Sequence, residues 1–359
     1  MRIAINTGGG DAPGLNAVIR AVVLSALNQG WEVFGIRNGY EGLLSGEGVT
    51  PLTRADVRGI THLGGTILGT TNRGNPLEWP CPRPDGTVEI RDRSGDIARA
   101  FEELDLDALI AIGGDGSLRI ASALADKGIP VVGVPKTIDN DLAATQVTFG
   151  FHTAVEVATD AIGRLHSTAE AHQRVMVVEL MGRHAGWIAL FAGVAGTADV
   201  ILIPEIPYSM DSVCQKVEAR YANGAGFAIV VVAEGAYPVG GKPFFQDPGG
   251  AGRNARLGGI GEVVAHEIAE RTGRETRSLA LGHLQRGGSP VAYDRLLALR
   301  FGAAAVDLVK ERCFGCMVAL DPPDVHAVPL AEAVERIKTV PVEGDVVRTA
   351  RALGISFGD

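Results

Sequence analysis

Ile129-Pro130-Val131-Val132-Gly133-Val134-Pro135-Lys136-Thr137-Ile138-Asp139-Asn140-Asp141 is the stretch from which the fold can be read. The run Ile129 to Val134 is short and apolar, as expected of a parallel strand buried on both faces. Pro135 to Asp141 then turns polar and carries two carboxylates. In open α/β sheets, ligands collect beyond the carboxyl ends of the strands, so chemistry is expected at this stretch. On extended backbone, side chains two apart point to the same side, so Asp139 and Asp141 can both face one substrate. Such a pair can divide its work: one carboxylate takes a proton, while the other holds a metal or curbs its partner's ionisation. Taken alone, the same residues also describe a polar turn in which Asp and Asn cap the next helix.

One strand earlier, Ala108 to Ile112 is closed by Gly113-Gly114-Asp115-Gly116-Ser117, with a helix expected from Leu118 to Lys127. The glycines let a phosphate chain approach the backbone, and Asp115 sits where a magnesium ion bridging those phosphates could be held. At the N-terminus, a strand from Ile3 to Asn6 runs into Thr7-Gly8-Gly9-Gly10-Asp11-Ala12-Pro13-Gly14. A helical pattern follows, with Leu15, Val18, Ile19, Val22, Val23 and Ala26 on one face. Strand, glycine loop and helix together bring backbone amides and a helix N-terminus against phosphate. The P-loop fails, because Gly14-Leu15-Asn16 lacks its Gly-Lys-Ser/Thr. A dinucleotide fingerprint fails too, because the second strand, Glu32 to Ile36, ends in Arg37-Asn38 rather than an acid. A third glycine-rich loop, Gly64 to Thr71, leads through Asn72 to Arg73, read either as a solvated arginine or as a donor-phosphate contact. Residues 74 to 95, with Pro76, Pro80, Pro82 and Pro84, read as irregular, a lid or a hairpin.

The alternation continues. A helix (Thr153 to Leu165) leads to a strand (Val175 to Glu179) and the turn Met181-Gly182-Arg183-His184-Ala185-Gly186. Further strands are expected at Val200 to Ile203, Ala228 to Val232 and Leu279 to Leu281, with helices at Ser212 to Tyr221, Ile260 to Arg271 and Ala292 to Lys310. Residues 236 to 257, with Gly240-Gly241 and Gly249-Gly250, read as a long irregular insertion. The pattern is that of two βα-rich domains. The first is expected over 1–150 plus about 286–335, the second over 151–285 plus a tail of about 336–359.

The 359 residues exceed one typical domain, and a hydrophobic share of 46% allows large cores. Thirty-three basic residues against 42 acidic ones give a net charge of −9. With no basic stripe, this argues against a nucleic-acid partner. Of the four cysteines, only Cys313-Phe-Gly-Cys316 has ligand-like spacing. A structural zinc site would need a second pair, so these read as ordinary thiols of a reducing cytosol, with a redox role as the sharper alternative. No signal peptide precedes the first strand and no apolar run is long enough to span a membrane, so a cytoplasmic protein is expected.

Taken together, Gly-Gly-Asp-Ala-Pro-Gly, Gly-Gly-Asp-Gly-Ser, Thr-Ile-Asp-Asn-Asp, Met-Gly-Arg and Gly-His-Leu-Gln-Arg-Gly-Gly-Ser-Pro resemble the 6-phosphofructokinase family, in its order and approximate spacing from Gly9 to about Ala305. The resemblance implies an α/β fold of two Rossmann-like domains with the active site in the cleft between them. It also implies magnesium-dependent phosphoryl transfer to the 1-hydroxyl of fructose 6-phosphate. Asp139 would be the base, supported by Asp141, with Thr137 and Arg183 at the transferring group. Gly10, Arg73, Asp115, Gly116, Ser117 and Lys136 would face the donor, Asp115 holding Mg2+. The sugar phosphate would meet Thr137, Asp139, Met181, Gly182, Arg183, Glu234, His283 and Arg286, together with Arg174 and Arg277. In the family, the arginines matching these last two reach in from a neighbouring subunit, which implies a homo-oligomer, dimer or tetramer. Locally, Arg174 also reads as a strand-edge charge and His283 as a satisfied core histidine.

Two positions speak to the donor. Gly116 resembles the ATP users, since a carboxylate there would collide with the α-phosphate. Lys136 resembles the pyrophosphate users, its ammonium able to neutralise the leaving phosphate. Steric exclusion is the harder to evade, so ATP is expected, with pyrophosphate as the alternative. Where bacterial relatives place basic residues for a phosphorylated effector, this chain has Leu24, His166 and Asn223-Gly224-Ala225-Gly226, leaving Arg20. Weak or absent control is expected there. Two rivals are another small-molecule kinase, such as an NAD or lipid kinase, and a catalytically silent sugar-phosphate sensor. The first leaves Arg174 and Gly282 to Pro290 unexplained; intact Asp139, Asp141 and Arg183 speak against the second.

Overall fold

Alternating apolar strands and amphipathic helices assemble into one largely parallel sheet with antiparallel edge strands and one wholly parallel sheet, as seen in a computed structural model that describes residues 1–224, 226–247 and 256–359. The chain opens with β1 (Arg2–Thr7), α1 (Leu15–Asn28), β2 (Glu32–Ile36), α2 (Glu41–Ser45) and β3 (Val49–Pro51). A hairpin of β4 (Trp79–Pro82) and β5 (Val88–Arg91) is followed by α3 (Ser94–Glu103), β6 (Ala108–Gly113), α4 (Asp115–Asp126), β7 (Val131–Thr137) and β8 (Phe149–Gly150). Next come α5 (Phe151–His172), β9 (Val175–Leu180), α6 (Trp187–Ala195), β10 (Val200–Leu202), α7 (Met210–Ala222) and β11 (Ala228–Ala233). The short pair β12 (Phe245–Asp247) and β13 (Arg256–Leu257) precedes α8 (Ile260–Thr272), β14 (Thr276–Ala280) and a 3-10 turn at Gly282–Arg286. The chain closes with α9 (Ala292–Lys310), β15 (Cys316–Asp321), β16 (Asp324–Pro329), α10 (Leu330–Glu335) and α11 (Asp345–Ala352).

These elements fall into two compact units. One comprises Met1–Thr137, Leu142–Gly150 and Arg286–Ile337; the other comprises Ile138–Asp141, Phe151–Gln285 and Lys338–Asp359. In the first, the sheet order is β16-β15-β7-β6-β1-β2-β3, with β8 paired to β7. Strands β7, β6, β1 and β2 run parallel in register, for example Ile5 opposite Ile110 and Ile110 opposite Val132. Pleating sends alternate residues to opposite faces. Ile3, Ile5, Ile110, Ile112, Val132 and Val134 join the core under α1 and α9. Ala4, Leu109, Ala111 and Val131 join the core that includes residues of α3, α4 and α10. Helices α1 and α9 pack tightly at Gly302, where an added Cβ would come within 2.6 Å of Ala21 Cβ and 2.8 Å of the Val18 carbonyl.

The second unit has a four-stranded parallel sheet, β10-β11-β9-β14. One face (Val175, Val177, Val200, Leu202, Val230, Val232) packs with Val213 and Val217 of α7 and Val264 and Ile268 of α8. On the other face α6 lies close, since a Cβ on Gly193 would meet Ile201 at 2.7 Å. Strand β14 is an edge and is exposed from Arg277 to Ala280.

Several boundaries differ from those read in the sequence. Strand β7 continues through Pro135, Lys136 and Thr137 instead of stopping at Val134. Helix α4 starts at Asp115, not Leu118, because Gly114 supplies the extended N-cap and an acid suits the positive end of the helix. Strand β14 starts at Thr276, so Arg277 lies within it. Residues 74 to 95 contain the β4–β5 hairpin, and the 236–257 insertion carries the β12–β13 ladder. Gly249-Gly250 and Ala225 lie outside the described residues. All four cysteines are free thiols, and no described helix is long and apolar enough to cross a membrane.

Candidate active site

In the first unit the chain leaves β1 for β2 on one side and returns as β6 on the other, so the strand order reverses between β1 and β6. Reversal opens a crevice at the carboxyl ends, where the glycine loops after Thr7 and Gly113 lie. These loops are tied to each other. Gly8 donates its amide to the Ile112 carbonyl at 2.9 Å and Gly9 donates to Thr71 at 3.0 Å, while Thr70 Oγ1 donates to the Gly9 carbonyl at 2.6 Å. The second and third of these bonds bring the segment that carries Arg73, itself exposed, against the first loop. Ser117 stands so close that a Cβ on Gly113 would lie 2.3 Å from its own Cβ, and one on Gly8 2.8 Å from its Oγ. No larger residue fits at either position.

Gly116 is different. A Cβ there meets nothing within 4 Å and its backbone is not left-handed, so packing does not demand a glycine. The half-buried Asp115 receives Arg119 Nε at 3.0 and 3.2 Å on its two oxygens. This partner was open to sequence reasoning through its i,i+4 spacing. Lys136 is buried and its Nζ donates to the Gly10 carbonyl. Thr137 is buried against Gly114, where an added Cβ would lie 3.6 Å from Thr137 Cβ. Arg286 lies on the same loop: its Nη1 donates to the Asp11 carbonyl at 3.0 Å, and a Cβ on Gly10 would sit 2.8 Å from that nitrogen. Arg286, which the resemblance assigns to the sugar phosphate, belongs with these contacts to the first unit.

In the second unit, Asp139 and Asp141 are both buried. The extended-backbone argument for them does not hold. Asn140 between them has φ 52°, a left-handed conformation that Asn tolerates, so the segment is a bend. At the carboxyl end of β9, Met181 is half-buried and the turn is shaped by Gly182 (φ 144°) and Arg183 (φ 53°). Glu234, just beyond β11, holds that turn, its Oε1 accepting from the amides of Arg183 at 2.9 Å and Gly182 at 3.3 Å. Glu234 therefore has a structural role within the chain, fixing the turn that carries Arg183. Its carboxyl is raised to about 7, chiefly by burial and with help from the negative charges of Asp139 and Glu179, against the pull of the two amides. Burial and the Arg183 charge lower His184, against the field of Asp139. Asp139, His184 and Glu234 are therefore electrostatic neighbours.

His283 is exposed in the 3-10 turn, not a core histidine, because Leu281 and Gln285 take the inward positions around it. Arg174 precedes β9 and Arg277 is the second residue of β14, so both lie at the amino ends of their strands. They share a carboxylate: Arg174 Nη2 is 2.8 Å and Arg277 Nη2 2.6 Å from Glu275 Oε1. Five steps along β9 span roughly 17 Å, so within one chain this pair is remote from Glu234 and His283. Arg20 donates to the Val57 carbonyl at 2.6 Å, and His166 bonds the Gly196 carbonyl at 2.8 Å.

Two groups escaped the sequence reading. Glu205 accepts from the amides of Gly186 and Val340, at 3.0 and 2.8 Å. Lys338, in the C-terminal segment, reaches Asn140 with its Nζ at 2.9 Å. Neither lies in a recognisable motif.

A family model described as Phosphofructokinase matches residues 2–309. The chain is 55% identical over 358 residues to the ATP-dependent 6-phosphofructokinase of Chloroflexus aggregans, covering 100% of this chain and 98% of that protein. It is 54% identical over 345 residues to the pyrophosphate–fructose 6-phosphate 1-phosphotransferase of Amycolatopsis methanolica, covering 96% and 97%. Among solved structures, the phosphofructokinase of Pichia pastoris superposes with a TM-score of 0.81 at 32% identity, over 93% of this chain and 35% of the other.

Proposed function

The chain belongs to the phosphofructokinase family, and on that footing we propose that it is an ATP-dependent 6-phosphofructokinase. It moves the γ-phosphoryl group of ATP to the 1-hydroxyl of fructose 6-phosphate, giving fructose 1,6-bisphosphate and ADP in cytoplasmic glycolysis. Gly116 carries the choice of donor. The space beside it is open and nothing in the packing demands it, so its lack of a side chain is best explained by room kept for a nucleotide's α-phosphate.

In this reading Asp139 takes the proton from the sugar hydroxyl as the oxygen attacks. Asp139 is buried, which keeps water away from the proton in transit, and Asp141 lies on the same bend. Thr137 and Arg183 bind the transferring group, while Arg73 and the Gly10 amide bind the donor phosphates, so transfer rests on positioning and charge neutralisation. Ser117 and Lys136 line the donor loop. Met181, Gly182, Glu234 and His283 orient the sugar, and Arg286 secures the Gly10–Asp11 loop while pointing cationic charge at the ligands.

Among the described residues no group of three or more His, Cys, Asp or Glu could hold a metal on its own. Asp115 fits a magnesium ion that takes one carboxylate and completes its shell with phosphate and water. Its bond to Arg119 is a half-exposed ion pair of the kind that is readily exchanged. A magnesium ion held there by Asp115 would supply positive charge to offset that of the phosphates.

Arg174 and Arg277 are assigned to the 6-phosphate of a neighbouring copy. Their joint position at the amino ends of β9 and β14, on an exposed sheet edge, supports a homo-oligomer in which each site borrows this pair.

A pyrophosphate-dependent enzyme is the second reading, favoured by Lys136, whose buried ammonium stands on the Gly10 loop. A coupled assay with fructose 6-phosphate and magnesium, run with each donor in turn, separates the two. Turnover with ATP is expected; turnover with pyrophosphate alone would reverse the assignment.

A further inference from the structure

The bend that carries Asp139 and Asp141 is held from a distant part of the chain. Lys338 donates its backbone amide to the Asp141 carbonyl at 2.8 Å, and its own carbonyl accepts from Trp187 Nε1 at 2.9 Å. Its Nζ donates to Asn140 Oδ1 at 2.9 Å and lies 5.7 Å from the centre of the Trp187 ring. Two residues on, the Val340 amide meets Glu205, which also holds the Gly186 amide. Residues 338 to 340 thus stitch the aspartate bend to the turn that presents Arg183.

We infer that Lys338 is a positioning residue for the phosphoryl-transfer step, its ammonium fixing the Asn140 side chain so that the left-handed bend presents the Asp139 carboxylate to the sugar hydroxyl. This rests on the reading of Asp139 as the base. Asn tolerates left-handed backbone better than other non-glycine residues, but extended backbone stays open to it, so the bend depends on the bonds that hold Asn140. Here the backbone bonds of Lys338 secure the chain path, and the side-chain bond secures the one residue whose conformation sets the angle between the two carboxylates.

Lys338 is half-buried, and partly desolvating an ammonium costs free energy that an apolar residue at this position would not incur. Burial does push Lys338 down to about 8, although the charge of Asp141 holds it up. An ammonium kept in the field of the buried Asp141 carboxylate, and bonded to the bend that also carries Asp139, points to chemistry rather than to packing.

Lys338→Met keeps the side chain's bulk and every backbone bond while removing the ammonium. The test measures kcat and the KM for fructose 6-phosphate in Lys338→Met and Lys338→Arg, with thermal melting and Asp139→Asn as a control. Loss of a charge-assisted hydrogen bond at the reacting group predicts that Lys338→Met lowers kcat by about tenfold or more. KM should change by less than about twofold and the melting temperature little, while Lys338→Arg restores most of kcat. If Lys338→Met keeps wild-type kcat, or loses it only together with melting temperature and without rescue by arginine, the inference fails. If instead Asp139→Asn retains activity, it is the assignment of the base that fails.

Discussion

The Arg183 amide donates to Glu234 Oε1 at 2.9 Å, so the arginine assigned to the transferring phosphoryl group is held by a residue assigned to the sugar. The Gly182 amide donates to the same oxygen at 3.3 Å. A Cβ on Gly235 would come within 2.0 Å of the Arg183 carbonyl, so the end of β11 and the Arg183 turn are pressed together. Under the roles proposed for these two residues, one carboxylate couples substrate orientation to charge neutralisation.

That carboxylate titrates near neutrality. Glu234 lies at about 7, well above its ordinary 4.5, so the folded state holds its proton more tightly than the unfolded one. Its contribution to stability is full below about 4.5 and is lost as pH rises through about 7. Binding should run the other way, because the ionised form is the better acceptor for a sugar hydroxyl. The KM for fructose 6-phosphate is therefore expected to fall between pH 6 and pH 8. The substrate phosphate, with a second ionisation near 6, adds a trend of the same sign. Glu234→Gln cannot titrate and should retain only the phosphate's trend, with KM raised by about tenfold for a weakened hydrogen bond. Identical pH slopes in the two proteins would remove Glu234 from the binding account.

Gly116→Asp separates donor choice from folding. Gly116 is the second residue of α4, where an acid interacts favourably with the helix dipole, and its side chain would enter open space. Melting temperature should therefore hold or rise slightly. Turnover with ATP should fall by about tenfold or more, as a carboxylate repels the α-phosphate. A variant that keeps full kcat/KM for ATP would show that the open space is not where the nucleotide lies.

Much of this was legible because it depends on local pattern. Ile3 to Asn6, Ala108 to Ile112 and Ala228 to Val232 are apolar runs with glycine after them, and each is a buried strand ending in a loop of the candidate site. What was not legible depends on contacts between distant residues. Lys338 lies 198 positions from Asn140, in a stretch with no motif, and only the folded chain brings them together. The bend at Asn140 was misread as extended because a two-residue spacing suggests a strand, whereas an Asn between two aspartates also suits left-handed backbone. The bond from Arg286 to the Asp11 carbonyl spans 275 positions and is likewise invisible in the sequence.

Gly302 offers a test of packing away from the chemistry. Any Cβ there meets Ala21 and the Val18 carbonyl across the α1–α9 contact, and the latter is backbone that cannot rotate away. Gly302→Val should destabilise the protein by about 1–3 kcal/mol through overpacking, lowering the melting temperature by several degrees. KM for both substrates should stay near wild type. An unchanged melting temperature would mean that the two helices separate more easily than their close approach implies.

Shared sites can be tested by complementation. Asp139→Ser should be inactive for want of a base, with a loss of about 100-fold or more. Arg277→Glu should be nearly inactive because it places a negative charge against the 6-phosphate while leaving Glu275 to Arg174. If Arg277 serves a neighbouring copy, a mixed oligomer contains sites that combine the intact Asp139 of one chain with the intact Arg277 of the other. Co-expression of the two variants should then give turnover well above the sum of the two alone. Dilution into conditions that dissociate the oligomer should abolish it. If the arginine serves its own chain, every site in the mixture carries one lesion and no activity returns. The roughly 17 Å along β9 that separates Arg277 from the Glu234 end of the sheet favours the first outcome.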